Sequence, residues 1–499
     1  EWTVTVSAAY NRTAGVVTSD KLIQDASVRY VGDSTDGWGV HWDTTQFATY
    51  TNATNTNQSG TLSIGDTMQC AVDMDAGKIW FGHNNTWLNG GDPAAGTSED
   101  YSGLTGTVVP AATLHSSDAP RYQYNFADAD LVYTPPTGFS SLTTDNLPAM
   151  TASNKNVNSH FKTVTWAGNS TSGRAIDTGM DDCHFGWIKA RNNAYQHSLA
   201  DACRGNGAVL HTHVTDAEVT SYGTYGGAAF NGTGLPTLED GTVAGSWIND
   251  TGTNYVGWFA NLPNTKTSGW SGSPTITPSK EIYNTDLGMS IVTYTGNGTA
   301  GATIPHSLGV KPGVIIVKRI SAVGSWYVYH SDVGATKYML LESTIAAATN
   351  ILTWNDTEPT DQLISLGSGA TNSSGQDFVA YIFAPSDFIK IGSYSGNSSA
   401  DGSFVNMGIK TEFMLTKCTG AGTSWPIFDA GRYPNNPHSG TLFADTAAAE
   451  NADVDVDLVA TGTKCRRSST NFNASGSTYV YLAIGQPTGA SNADESPGR

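Results

Sequence analysis

Charge is scarce in this chain: only 14% of its 499 residues are charged. Lys and Arg total 25 against 44 Asp and Glu, a formal net charge of −19. That balance repels phosphate backbones and anionic bilayers, so nucleic acid is not an expected partner. No run of about eighteen apolar residues occurs, so no segment is expected to insert into a membrane. Five cysteines are too few for a disulfide framework in a chain of this length. Cys183 with Cys203 and Cys418 with Cys465 are placed so that two bridges are open, but reduced, buried thiols are the expectation. Cys-x-x-Cys and Cys/His ligand spacings are missing, as are a Gly-x-Ser-x-Gly elbow and a phosphate loop with lysine. No structural metal and no cofactor are therefore expected. The chain opens at Glu1 with no methionine and already in strand-like alternation, which reads as a fragment or a trimmed product whose upstream residues hold an anchor.

What is abundant is Gly, Ser, Thr and Asn, the composition of many short strands joined by turns. Aromatics at 10% argue against disorder. A block of about one hundred residues is written three times. It opens at Trp166-Ala-Gly168-Asn169, Tyr294-Thr-Gly296-Asn297 and Tyr394-Ser-Gly396-Asn397. An apolar strand ending in Lys189, Lys318 and Lys417 follows, 21, 22 and 21 residues after the opening glycine. Each block closes on a glycine and an aromatic-valine pair: Tyr255-Val256, Phe378-Val379 and Tyr479-Val480. Tandem copies serve extended architecture or multivalent binding, because three diverged copies of one active site are seldom useful. The steps of 128 and 100 residues between opening glycines place the variation in loops. That pattern predicts a rigid stalk or a multi-faced surface.

Before the repeats, Thr3–Val6, Val28–Val31, Trp38–Trp42, Met68–Val72, Lys78–Gly82, Val108–Ala112 and Tyr122–Phe126 read as strands. Asp73–Gly77 is the turn of a hairpin. The fold class expected is all-β: an antiparallel β-sandwich followed by three tandem sandwich-like repeats. The division expected is a sandwich over 1–137, a linker over 138–159, repeats over 160–264, 288–386 and 387–489, a linker over 265–287, and a tail over 490–499. Helix signals are confined to Asp201–Arg204 and Asp445–Asn451.

The stretch from Gly65-Asp66 through Asp73-Met-Asp75-Ala-Gly77 to Trp80-Phe81 and Asn84-Asn85 resembles a SPRY domain, a concanavalin-like sandwich. Glu1-Trp2-Thr3-Val4 and Gly37-Trp38-Gly39-Val40 fit its earlier strands, and the likeness covers about residues 1–130. The family's first strand should precede Glu1. Asn125-Phe126, Tyr133-Thr-Pro-Pro136-Thr-Gly138-Phe139 and Asn146-Leu-Pro148 look like the exit from SPRY modules in tailed-phage and prophage proteins. The repeats resemble modules downstream in the same proteins, most closely over Gly296–Gly313, Gly324–His330 and Ala335–Tyr338. The resemblance implies a virion surface protein, a tail fibre or capsid appendage, made in the host cytoplasm and carried on the particle. Its implied partners are other virion proteins, a host-surface glycan or receptor, and further copies of itself, with the trimer common among phage fibres. Nothing in the sequence counts subunits.

Binding is a better expectation than catalysis, and no enzyme is expected. Sugar recognition needs an aromatic platform beside amides or carboxylates. Trp87 beside Asn84 and Asn85, Trp270 in a Gly/Ser-rich stretch, and Tyr433 near Asn435 and Asn436 have that character, each weighed against an aromatic covering a sandwich edge. Trp80, Trp187 and Trp326 lie in strands and are expected in the core. His211 and His213 share one strand face and could ligate a metal with His184 or His197, but a polar face is the expectation. Asp453, Asp455 and Asp457 form a row that could take calcium, but a solvated face is again the expectation. A glycan depolymerase would need two spaced carboxylates. Asp73 with Asp75 fits a turn better, and Asp181-Asp182 and Glu239-Asp240 offer no better geometry. Adhesion, purely structural decoration and depolymerisation are the readings carried forward, in that order.

Overall fold

The computed structural model describes residues 2–4, 12–18, 31–32, 37–42, 47–58, 60–105, 108–113, 122–127, 129–143, 156–220, 226–230, 235–239 and 248–488. It is nearly all β and divides into two compact units, 1–149 and 150–499. Its one described α-helix is the single turn Ile351–Trp354.

The first unit is a sandwich of two antiparallel sheets. One runs in the order Tyr122–Tyr124, Trp2–Val4, Thr67–Asp73, Lys78–His83, Thr86–Trp87. The other runs Val108–Thr113, Arg12–Thr18, Gly37–Trp42, Phe47–Thr51, Thr54–Gln58. Alternate residues meet in the core, with Val16, Trp38, Val40 and Phe47 facing Met68, Ile79 and Phe81. The strands expected here are present, except that Val28–Val31 falls almost wholly outside the described residues. The expected hairpin is also present: Asp73 pairs with Lys78, the Asp73 carboxylate accepts the Ala76 amide at 2.9 Å, and Gly77 sits at φ 64°. Asp73 is thus a turn former.

In the second unit each repeat builds one sheet in the same order, first strand, last, second, third. In the first repeat these are Phe161–Ala167, Asn254–Ala260, Phe185–Ala190 and Ser198–Asp201. In the second they are Met289–Thr295, Asp377–Phe383, Val314–Arg319 and Trp326–His330. In the third they are Ile389–Ser395, Thr478–Pro487, Ile409–Cys418 and Pro426–Asp429. A small second sheet closes each repeat into its own sandwich.

The written landmarks acquire reasons. Each opening aromatic stacks on its closing aromatic: Trp166 on Tyr255 at 5.7 Å, Tyr294 on Phe378 at 5.3 Å, Tyr394 on Tyr479 at 5.2 Å. A fully buried asparagine (Asn249, Asn372 or Asn473) accepts the backbone N–H of the Gly-Asn turn residue Asn169, Asn297 or Asn397. Each also donates to two oxygens of the surrounding turns. The turn glycine is obligatory: a Cβ on Gly296 would lie 2.5 Å from the Ser373 carbonyl oxygen, and one on Gly168 2.0 Å from that of Asp250.

The three sandwiches are not separate bodies. Their central strands are apolar on both faces, as in sheets covered on both sides. Ile315 and Val317 point into their own sandwich, while Val314 and Ile316 point into a core that all three repeats share. Trp187 and Trp258, Trp326 and Tyr381, and Phe413 and Trp425 meet there. The contacts between repeats recur cyclically. Glu218 N–H donates to Ile320 O (2.9 Å), Ala347 N–H to Thr419 O (2.9 Å), and Glu450 N–H to Arg191 O (2.7 Å). Ile320, Thr419 and Arg191 each stand two residues after the repeat's buried lysine. The unit is therefore a ring whose third member returns to the first, with Val157 N–H held by the Gln486 side chain at 2.9 Å. A stalk of successive modules is corrected to this closed body.

Two further expectations change. Residues 265–287 are not a linker: Asn264–Lys266 and Lys280–Asn284 add strands to the second repeat's sheet, and Ile276 and Ile282 are buried. The polar Thr/Ser content there masked a short alternating strand. Neither helix signal gives a helix: Asp201–Arg204 is a turn in which the Asp201 carboxylate caps the Arg204 amide at 2.9 Å and pairs with its guanidinium, and Asp445–Asn451 is irregular after a turn at Asp445. Of the expected linker over 138–159, residues 144–155 lie outside the described residues.

Candidate binding site

In the first unit, Gln69, Gly82 and Trp87 stand side by side on three adjacent strands, because Gln69 pairs with Gly82 and Gly82 with Trp87. Gly82 leaves a dip between two larger side chains. A Cβ there would come within 3.2 Å of both the Gln69 Oε1 and the Trp87 ring. Beside this row is a cavity of about 210 Å³. Its walls include the stacked rings of Tyr124 and Phe126, 5.8 Å apart, and Tyr133 and Phe139 from the segment after the last strand. Phe139 anchors that segment edge-on to the buried Trp80 at 6.0 Å. Residues 131–142 thus act as a strap over the sheet face. Among the described residues, no charged side chain lines the cavity.

The hairpin beside it is held rigidly. Asn84 and Asn85 take φ of 47° and 65°, the left-handed turn conformations that asparagine tolerates. Asn84 Oδ1 accepts from Thr67 N–H at 2.9 Å and its amide donates to Asp66 at 2.8 Å. Asn85 N–H donates to Gln69 Oε1 at 2.8 Å. Asn84 is therefore a turn and bracing residue, while exposed Asn85 orients Gln69. Trp87 is half-buried and lines the cavity.

The other candidates are dispersed. Trp270 lies in the second unit with the Lys266 ammonium 5.6 Å from its ring centroid. Tyr433 packs 4.7 Å from His438 and receives the Arg191 guanidinium at 5.4 Å. It is half-buried at the seam where Arg191 and Arg432 both pair with Glu450. Asn436 is engaged with both backbone groups of Leu458. Trp80, Trp187 and Trp326 are core, as expected.

The histidines serve the ring. His197 Nδ1 accepts from Trp187 Nε1–H at 2.9 Å, and Nε2 donates to the carbonyls of Phe443 and Thr446, both at 3.0 Å. Burial, then Lys189 and His213, hold it well below the ordinary imidazole range. His211 contacts the His197 carbonyl, and burial with neighbouring His211 and Lys189 lowers His213 to about 4. His184 lies against Asp182 at 3.5 Å instead. Among the described residues, no group of three His, Cys, Asp or Glu is placed to hold a metal ion.

The acid row is paired: Arg467 reaches Asp453 and Asp455, and Arg466 reaches Asp457. The one solvated strand face expected there is corrected: only Asp457 lies in the strand Val456–Val459, Asp455 is buried and Asp453 is exposed. Glu239 accepts from Ser172 at 2.5 Å, and Asp240 lies outside the described residues. All five thiols are free, and burial raises Cys203 and Cys465 to about 12.

Sequence reading missed two buried ion-pair clusters, Asp201–Arg204–Glu218 and Asp429–Arg432–Glu450. Their signal was a repeated Asp-x-x-Arg after the third strand. The three lysines near the ends of the second strands, expected as landmarks of the repeat, are in addition buried. Lys318 Nζ donates to Thr215 O and Lys417 Nζ to Thr344 O, each across a seam at 3.0 Å, whereas Lys189 stays within its own repeat.

The described residues thus form a β-sandwich with an aromatic-walled cavity, followed in the chain by an all-β ring. Residues 156–487 match the family model described as a domain of unknown function, DUF7483, and the span exceeds half of the chain. The chain belongs to that family. The matched span takes in the ring and no part of the first unit, whose residues 1–124 match the SPRY domain model. Comparison with curated proteins gives no match.

Proposed function

We propose that this chain is a non-enzymatic surface protein of a phage particle, a tail fibre or capsid appendage that adheres to a host-surface glycan or protein. The observation that carries the adhesive part is the aromatic cavity beside Trp87, which offers apolar walls and an amide with no carboxylate among its lining residues. General acid–base hydrolysis of a sugar bond needs two carboxylates at the bond, and the described lining residues supply neither. The ring supplies rigidity, since three sandwiches around one core bury more surface per residue than three on a string. Net negative charge keeps such particles from sticking to one another. The likeness of the exit segment and repeats to tailed-phage modules supports the placement on a virion.

The test is antibody against the purified chain, applied to intact particles. Labelling with loss of attachment to host cells is expected. Labelling without any loss of attachment would favour purely structural decoration, and absence of labelling would contradict the virion placement.

A further inference from the structure

We propose that the cavity between the Gln69–Gly82–Trp87 row and the 131–142 strap binds one neutral sugar ring of a glycan. This inference rests on the adhesive reading above and names its site and ligand class.

Three observations converge. The first is shape. Gln69, Trp87, Tyr124, Phe126 and the strap line about 210 Å³, more than the roughly 150 Å³ that accommodates a benzene ring in an engineered cavity. The second is the pairing of an apolar wall with a fixed donor. A pyranose presents a face of C–H groups and a rim of hydroxyls, so it needs a flat aromatic on one side and amide hydrogen-bonders on the other. Trp87 supplies the aromatic. Gln69 supplies the amide: its side chain is 4% exposed as a residue, and its Oε1 is committed to Asn85 N–H. That bond fixes which end of the amide faces which way. The Gln69 nitrogen has no hydrogen-bond partner among the described residues, so two N–H donors are left for a ligand hydroxyl. The third is charge. Among the described residues no cation lines the cavity, and the whole chain carries −19, so carboxylated sugars would be desolvated without a partner there.

The experiment uses the full chain on an array holding neutral and acidic glycans, followed by titration with the methyl glycoside of the best neutral terminal sugar. Two variants are compared. Trp87→Leu removes the platform. Gln69→Glu keeps an acceptor for Asn85 N–H and replaces the two N–H donors by a carboxylate oxygen. Because it also places a charge at a nearly buried position, its binding is read only where its unfolding midpoint shows it folded, and it then reports on the site independently of Trp87→Leu. Thermal unfolding of each variant accompanies the titration. Binding of neutral glycans with about a tenfold or greater loss in both folded variants is the expected result. Neutral-glycan binding that survives both substitutions would overturn the site while leaving the adhesive reading in place. Binding of acidic glycans alone would overturn the ligand class. Binding of no glycan by the intact chain would overturn the site together with the glycan form of adhesion.

Discussion

Trp258 in the last strand of the first repeat donates its indole N–H to Asp429 of the third repeat across 3.1 Å, although 171 residues separate them. The contact has counterparts at the other two seams. Tyr381 donates to Asp201 at 2.9 Å, and His330 donates to the Tyr481 carbonyl at 3.1 Å. Only the seam between third and first repeats lacks a chain connection across it, so non-covalent contacts alone hold it shut. The Asp429–Arg432–Glu450–Arg191 series lies there.

That seam should be the ring's most sensitive place. Asp429 and Arg432 have no exposed side-chain surface, so Arg432→Met leaves a buried carboxylate without its charge partner. The expected loss is about 3–5 kcal/mol. Equilibrium denaturation of the intact chain measures it. A loss below about 1 kcal/mol, the range of surface pairs, would show that the pair does not close the ring.

The repeated asparagine should be similarly costly. Asn372→Ala strips the Asn297 amide of its acceptor and removes two donated bonds, and nothing apolar fills the place. About 2–3 kcal/mol should be lost, with the unfolding midpoint as the measure. Gly296→Ala should be at least as harmful, because its Cβ would meet backbone and not a movable side chain.

The strands, the hairpin, the triplication and Trp87 were legible because they are written locally. Alternation with period two, Asx turns and an aromatic-x-Gly-Asn opening each need only a few neighbouring residues. The ring was not, because its contacts join residues far apart, such as Asp201 with Tyr381. Identical landmarks fit a string of modules as well as a closed one. The clue that distinguished them was the double-sided apolar character of strands such as Val314–Val317, which require cover on both faces. Gln69 and Gly82 escaped notice for a similar reason: their place beside Trp87 depends on register across three strands.

Stability should rise from pH 7 to about 8.5. Burial lowers Lys189 to about 7 and Lys318 and Lys417 to about 8, against an ordinary value of 10.5. In that window the folded chain has released protons that the unfolded chain still binds, so raising pH favours the fold. Above about pH 9 the buried thiols oppose this, because unfolding frees them to ionise at their ordinary value. Denaturation midpoints at pH 7.0 and 8.5 measure the effect, and Lys189→Met should shrink it. A midpoint that falls across this range would contradict the assignment.

The same sign holds on the acid side. His197 must accept from Trp187 through one nitrogen and donate to two carbonyls through the other, so a second proton breaks the indole bond. Facing it are Lys189 and His213, both of which disfavour added charge. The folded imidazole stays neutral while the unfolded one binds a proton below about 6.5, so stability falls as pH drops from there toward 4. Imidazole resonances resolved by NMR should show His197 neutral at pH 5. Titration of that ring near 6.5 would show that the seam does not hold it.

The most direct measurement is an experimental structure of the chain soaked with the neutral monosaccharide that its glycan binding selects. The account predicts a sugar ring against Trp87, beneath the 131–142 strap, with a hydroxyl within hydrogen-bond distance of the Gln69 amide nitrogen. A sugar bound elsewhere on the chain, with this cavity left empty, would contradict it.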